Sequence, residues 1–583
     1  MARSSKKTRV ADYAVGAVSC PLILLPAAVG FLYVRTFGVS VVFADAWSMV
    51  ALFKKWSAGR LEVSDLYRQS VVHRMFFPKS VELWLGNITK YNTVAEMYLI
   101  EVCFLVTLFI LLLAFIDSVN IRWSSLFLFL PVSLLIFSLS QWQNMLYGYQ
   151  INFAFVETFG VLALFLLYVL GRKSYLRKSA FAAALASATV ASYSVLPGLF
   201  VWPAGLVQLC ISPLEKPKKR WFIALWGSIG IFEWVFYFIG WKSPQSSSSV
   251  LYVLEQPLQG MNYYLQLLGS SLYWTPNSAL AGGLLVACLG LVSLFLILKD
   301  RRFAEYSYWI SLLFFSLLIL ASITVGRSYL QTVHSRYATF SVLGVVSVYA
   351  ILLKRGLEER SIINTVLLTA LTGAVLVSAF ISYPNGIDVG REWRAYMEQG
   401  AFVLSTYESQ PDEALGILHP QGGAFVRSHA STLQKLGYNV FSDQQASEVL
   451  PPPLSSLSPV GSSVPHSLTV FGKGVSQENG SFVVPRSTPF IWVAGWAVDA
   501  ANESTAGGVY IDIDGKLFPA FYGADRQDVA NHFGTPSYRY SGFVRAILVP
   551  EIGAGAHDLS VVVLTSDKKG YYRPDQKVLL KIR

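Results

Sequence analysis

Residues 97–116 read MYLIEVCFLVTLFILLLAFI, an apolar run broken only by the acid Glu101. As a helix rising about 1.5 Å per residue it is about 30 Å long, the thickness of a bilayer's hydrocarbon core. Comparable runs lie near 11–34, 124–140, 151–170, 179–196, 198–212, 221–240, 279–298, 305–325, 336–353 and 361–381, which gives about eleven transmembrane helices. Composition agrees, because 54% of the 583 residues are hydrophobic and only 14% are charged, too few charges for a soluble enzyme of this length. The expected fold is a polytopic α-helical membrane protein with a separate C-terminal part.

The basic residues sit between the runs. Arg122, GRKSYLRK (171–178), KPKKR (216–220), KDRR (299–302) and KRGLEER (354–360) occupy alternate connections, on the side of the basic N-terminus. Lys and Arg are retained on the cytoplasmic side, so the pattern predicts a cytoplasmic N-terminus, an odd number of spans and an extracytoplasmic C-terminal domain on a multi-pass protein of the cytoplasmic (inner) cell membrane. Topology thus accounts for the net charge of +11, and no nucleic-acid partner is implied. The 11–34 run lacks a small-residue cleavage site and reads as a retained anchor. Cys20, Cys103, Cys210 and Cys288 all fall in apolar segments, as buried hydrophobes do. Pro197-Gly198 reads either as a tight turn between two spans or as a kink in one broken helix.

Three parts are expected: a membrane domain over 1–381, including a long first external loop at 35–96; juxtamembrane helices and a Pro/Ser linker over 382–465; and an all-β sandwich over 466–583. Helical patterns lie at 391–407 and 424–436, and the linker is LPPPLSSLSPVGSSVP (450–465). The sandwich rests on short alternating segments from 467 to 582, with Asp514-Gly515 as a hairpin turn.

Candidate site residues cluster on the predicted external side. Asp45, in FADAW (43–47), follows the first span; a carboxylate at the lip of a cavity suits a general base, and an Asp there also suits a helix cap. Glu101, Glu157 and Glu233 lie within about two turns of the outer ends of their helices; they line one polar chamber or form separate helix-joining pairs. Arg327, His334, Arg336 and Tyr337 border an external turn where arginine breaks the positive-inside trend. With His73, Arg74 and Lys79 of the first loop they suit the phosphate of a lipid, or they snorkel to headgroups. In SQWQNMLYGYQ (140–150), Gln143 and Asn144 suit sugar hydroxyls beside rings that cover apolar CH faces, although Trp and Tyr are also ordinary interface residues. No Walker loop is present, which argues against ATP-driven transport by this chain alone, and DIDG (512–515) lacks the remaining ligands of a calcium loop.

Together these features resemble the GT-C superfamily of integral-membrane glycosyltransferases. The resemblance covers roughly residues 11–381 and rests on Asp45 after the first span, the long first loop, the span count, the external C-terminal domain, and the segments 140–150, 201–203 (VWP) and 326–337. A single Asp stands where paired acids are often seen. The C-terminal part is similar to carbohydrate-binding sandwiches. The resemblance implies an inverting transfer of a hexose or pentose from a polyprenyl-phosphate sugar, the lipid-linked donor, to a hydroxyl of an envelope glycan or glycolipid. Asp45 would be the base, with Arg327 and Arg336 on the donor phosphate, assisted by His73 and Arg74. It implies no obligatory cofactor and leaves a divalent cation open. A transporter or flippase for lipid-linked glycans would instead favour internal repeats and charges about the midplane. A non-catalytic glycan-binding scaffold would tolerate changes in the first loop.

Overall fold

A computed structural model describes residues 2–121, 123–242, 248–272, 275–359 and 361–583; Arg122 and Arg360 lie outside the described residues. The chain forms two compact units, one of Met1–Gly38, Ala58–Leu85 and Val94–Arg391, the other of Val39–Ser57, Gly86–Thr93 and Glu392–Arg583. The first loop is therefore divided between them.

The first unit is a helical bundle. Among the described residues nine helices are long and apolar enough to cross a membrane: Val18–Phe37, Thr93–Val119, Ser125–Met145, Gly148–Arg172, Lys216–Phe238, Pro276–Asp300, Phe303–Leu330, Ser335–Glu359 and Ile362–Ser405. The expected eleven differ from these nine at 179–212. There the chain forms two shorter helices, Arg177–Ser192 and Leu196–Ile211, each about 24 Å long at 1.5 Å per residue and so short of a full span. The chain turns between them at residues 193–195, and Pro197-Gly198 opens the second helix instead of kinking a single one: a Cβ at Gly198 would collide with the Ala191 carbonyl, and Trp202 Nε1 donates to Ser192 Oγ at 2.9 Å. Residues ten apart meet in this way only if the chain doubles back. A helical pair at Ser248–Glu255 and Pro257–Leu268, not anticipated from hydropathy, packs beside Pro276–Asp300, where Gly269 and Gly283 permit backbone contact. The last long helix continues to Ser405 through Pro384, so the separate helix expected from 391 merges with it.

Helix Ala338–Glu359 is buried from Ala338 to Arg355 and forms the centre of the bundle. Small residues let its neighbours approach: Ser316 Oγ donates to the Phe340 carbonyl at 2.7 Å, and Ser341 Oγ to the Leu268 carbonyl at 2.6 Å. Two basic clusters assigned by sequence to one side do meet at one end of the bundle. Arg355 pairs with Asp300 at 2.8 Å and Glu359 at 2.7 Å, while Arg302 pairs with Glu358 at 2.6 Å. Helix Ser307–Arg327 starts beside this network and carries Arg327 at its far end, about 30 Å away at 1.5 Å per residue.

In the second unit, twelve strands between Ser458 and Ile582 form the β-domain. Strand Lys516–Ala524 joins its two layers: residues 516–520 pair with Val509–Ile513, and residues 521–524 pair with Gly542–Leu548. A strand that changes partner along its length turns a corner, which nearly closes the sandwich into a barrel. Alternate residues point inward, among them Ile491 and Val493 from one layer and Val509, Ile511, Val561 and Val563 from the other. The expected turn is present, with Asp514 and Gly515 both at positive φ (52° and 87°), as a two-residue hairpin requires.

Candidate functional site

In the first unit, the corner between Arg327 and helix Ala338–Glu359 contains His334 and the short turn Ser335–Tyr337. The amide-rich segment holds this corner. Asn144, fully buried, donates to the Arg336 carbonyl at 2.8 Å and to Thr339 Oγ1 at 2.6 Å, and the Arg336 N–H donates to Gln143 Oε1 at 3.4 Å. Gln143 and Asn144 thus position Arg336, whose guanidinium lies 5.4 Å from the Tyr337 ring. His73 of the first loop reaches the same corner, with Nδ1 accepting the Leu196 N–H at 3.4 Å. Burial, then the charges of Arg327 and Arg336, holds the His73 pKa down to about 3; burial and the same two arginines lower His334. Both imidazoles are therefore neutral at pH 7, and the two guanidinium charges dominate. Among the described residues no carboxylate lies within ion-pair distance of either one. Tyr263 also feels both charges while its hydroxyl donates to the Thr332 carbonyl at 3.3 Å. It lies in the helical pair that hydropathy did not mark.

Arg74 and Lys79 have other partners. Arg74 caps a helix end, donating from Nε to the Tyr237 carbonyl at 2.6 Å, from Nη1 to that of Tyr67 at 3.2 Å and from Nη2 to that of Ile239 at 2.5 Å, with the Tyr67 ring 4.4 Å from its carbon. These carbonyls lie where a helix exposes its unpaired oxygens, so a cation is well placed. Lys79 Nζ donates to the Arg68 carbonyl at 2.7 Å. Burial raises the neighbouring Glu82 to about 8, with the Lys79 charge opposing it.

The three intramembrane acids are all buried but meet different neighbours. Glu101 faces Gly30, where a Cβ would overlap its carboxylate, and both its oxygens lack hydrogen-bond partners. Glu157 lies close to Cys103 and has one unpartnered oxygen. Glu233 accepts from Thr189 Oγ1 at 2.8 Å. Among the described residues no interaction joins any two of them.

Asp45 belongs to the second unit. It is exposed on the turn Ala44–Trp47, just after Ala44, whose φ of 44° is unusual for a residue other than glycine. Aromatic contacts fix this turn, with Phe43 edge-on to Trp393 at 5.5 Å and Trp47 edge-on to His429 at 6.4 Å. Helix Gly423–Leu436 supplies Phe425 and His429, four residues apart on one face. His419, Phe425 and His429 stack as successive layers with centroids 4.2 Å and 4.1 Å apart. His419 Nδ1 accepts the Gln421 N–H at 3.1 Å, so in the neutral ring the proton is on Nε2; His429 Nδ1 lies 2.9 Å from both the Phe425 carbonyl and Ser428 Oγ. Burial lowers the His419 pKa, and the nearby Asp45 carboxylate raises it in opposition. Asp45 is thus accompanied by two histidines that sequence reading missed. The spacing of Phe425 and His429 on an expected helix was the available signal.

Asn439 ties down the segment that carries Asp45. It is fully buried at a φ of 55°, and its Nδ2 donates to Ser40 Oγ at 3.1 Å and to the Tyr91 carbonyl at 2.9 Å. Its backbone N–H donates to the Lys90 carbonyl at 2.7 Å, and Tyr91 Oη donates to the Ala46 carbonyl at 3.0 Å.

Comparison with known proteins adds little. An uncharacterized protein of Archaeoglobus fulgidus is 25% identical over 209 residues, 33% of this chain. The chain spans about half, 52%, of that relative's length. No protein-family profile matches the chain. No solved structure matches it either.

Proposed function

We propose that the chain is a membrane glycosyltransferase that moves a sugar from a polyprenyl-phosphate donor to a hydroxyl of an envelope glycan or glycolipid on the extracytoplasmic face. The observation that carries the reading is the corner of the first unit, where, among the described residues, Arg327 and Arg336 lack carboxylate partners and their imidazole neighbours are held neutral. Two guanidinium groups at a membrane-boundary turn favour a lipid-borne phosphate. In the proposed step the proton of the acceptor hydroxyl goes to a carboxylate base, the role that the sequence resemblance gives Asp45, the acceptor oxygen bonds to the anomeric carbon from the side opposite the phosphate, and the carbon–phosphate oxygen bond breaks with its electron pair going to polyprenyl phosphate. Arg327 and Arg336 stabilise the charge that this phosphate gains. The His419–Phe425–His429 stack orders the surroundings of Asp45.

The test incubates purified protein in vesicles with polyprenyl-phosphate sugars and glycan acceptors and measures release of polyprenyl phosphate. Arg327→Gln and Arg336→Gln should each lower kcat by about 10²-fold, the usual loss for one preorganised donor to a developing anion. Movement of the lipid-linked sugar across the bilayer without release would instead identify a transporter, and full activity of the double variant would remove the arginines from the mechanism.

A further inference from the structure

The second unit contains a cleft of about 300 Å³ between the helical turn at 405–409 and the β-strands at 516–519 and 545. Arg545 stands on its wall, on strand Gly542–Leu548, with only 3% of its surface exposed. Its Nη1 donates to Thr406 Oγ1 at 2.8 Å and its Nη2 to Ser409 Oγ at 2.6 Å, while Phe402 lies 5.5 Å from the guanidinium carbon. All three partners are neutral. Glu551, which lines the cleft together with Glu408, pairs with Lys516 at 3.7 Å and acts on Arg545 only through its charge, without an ion pair. The buried Nε has no hydrogen-bond partner.

A guanidinium has five N–H donors, and two of these are committed here. Burying such a charge without an ion-pair partner is costly, and two hydroxyl contacts and the more distant Glu551 carboxylate offset only part of that cost. Were joining the strand to the helical turn the sole task, a neutral side chain would achieve it with less desolvation. Burial pulls the Arg545 pKa down, to about 10, and Glu551 opposes this, so the group stays charged at neutral pH. The remaining donors form a planar fork suited to a carboxylate or phosphate. Lys516 supplies a second cation at the rim, its side chain 56% exposed, and Phe518 supplies an apolar wall.

We propose that this cleft is a binding site for a sugar-sized ligand bearing one carboxylate or phosphate, with Arg545 as its anchor. The site belongs wholly to the second unit and does not depend on the transferase reading.

Calorimetry on the full-length protein in detergent, with glucuronate, glucose 1-phosphate, inorganic phosphate and glucose as probes, tests this. At least one acidic probe should bind 10-fold or more tightly than glucose, with affinity falling as salt rises; the preferred probe tells carboxylate from phosphate. Arg545→Lys keeps the charge but loses the fork, and should weaken binding about 10-fold in protein that remains folded at the assay temperature. Absence of binding by any acidic probe, equal binding of glucose, or unchanged affinity in Arg545→Lys overturns the proposal. If Arg545→Lys fails to fold, Lys516→Met decides: weaker binding of the acidic probe supports the site, and unchanged binding overturns it.

Discussion

Replacing Asn439 with Ala should loosen the segment that carries Asp45 while the β-domain remains folded. The substitution removes the bonds from Nδ2 to Ser40 Oγ and to the Tyr91 carbonyl, each worth about 1 kcal/mol. It also places alanine at a φ of 55°, a region that asparagine tolerates and where a Cβ without that polar group costs about 1 kcal/mol more. The total is about 3 kcal/mol, or about 10²-fold in the local opening equilibrium. Hydrogen-exchange mass spectrometry of peptides covering 39–57 and 86–93 should show protection reduced by about that factor, with strands such as Val509–Ile513 unchanged. Asn439→Asp keeps tolerance of the backbone angle but sets a buried acceptor against the Tyr91 carbonyl, and should loosen the segment at least as much. Unchanged protection in Asn439→Ala would refute the role assigned to these hydrogen bonds.

Arg74→Met should cost about 3 kcal/mol of stability, because three carbonyl oxygens lose a buried charged donor; a lowered melting temperature in detergent checks this, and Arg74→Lys should restore only part of it. His73 gives a pH dependence. Its folded pKa of about 3 lies below the ordinary 6.5, so the unfolded chain binds the extra proton first as pH falls. Stability from this residue is complete above about pH 6.5 and is lost progressively between there and about pH 3. His73→Gln should flatten the fall in melting temperature between pH 7 and 5, though not abolish it, because His334 and His419 are also lowered. An equal slope in wild type and variant would contradict this.

The bundle was legible because hydropathy is set by the solvent, and nearly every lipid-facing run declares itself by length. Two features were not. The helices Arg177–Ser192 and Leu196–Ile211 are apolar but short, and only the collision that a Cβ at Gly198 would make reveals the turn between them. The pair at 248–268 mixes polar and apolar residues and gives no membrane signal. Hydropathy likewise marks a carboxylate in a span but not its partners. Glu101, Glu157 and Glu233 share an expected depth, yet each faces a different helix, because rotation about the helix axis is decided by packing. Sequence marked Arg74 and Arg336 alike as external cations. Tertiary contacts separate them, committing the guanidinium of Arg74 to carbonyl oxygens and leaving that of Arg336 without an ion-pair partner among the described residues. Asp45 was visible from its place after the first span, whereas its companions His419 and His429 lie more than 370 residues later and meet it only through the fold.

The proposed chemistry is tested most directly by the rate at which Asp45→Asn releases polyprenyl phosphate in vesicles supplied with donor and acceptor. Asparagine keeps the size of the side chain but cannot take the acceptor's proton, so release should fall by about 10²- to 10⁴-fold with melting temperature and donor binding unchanged. Release at the wild-type rate would contradict a base at this position and, with it, the proposed transfer.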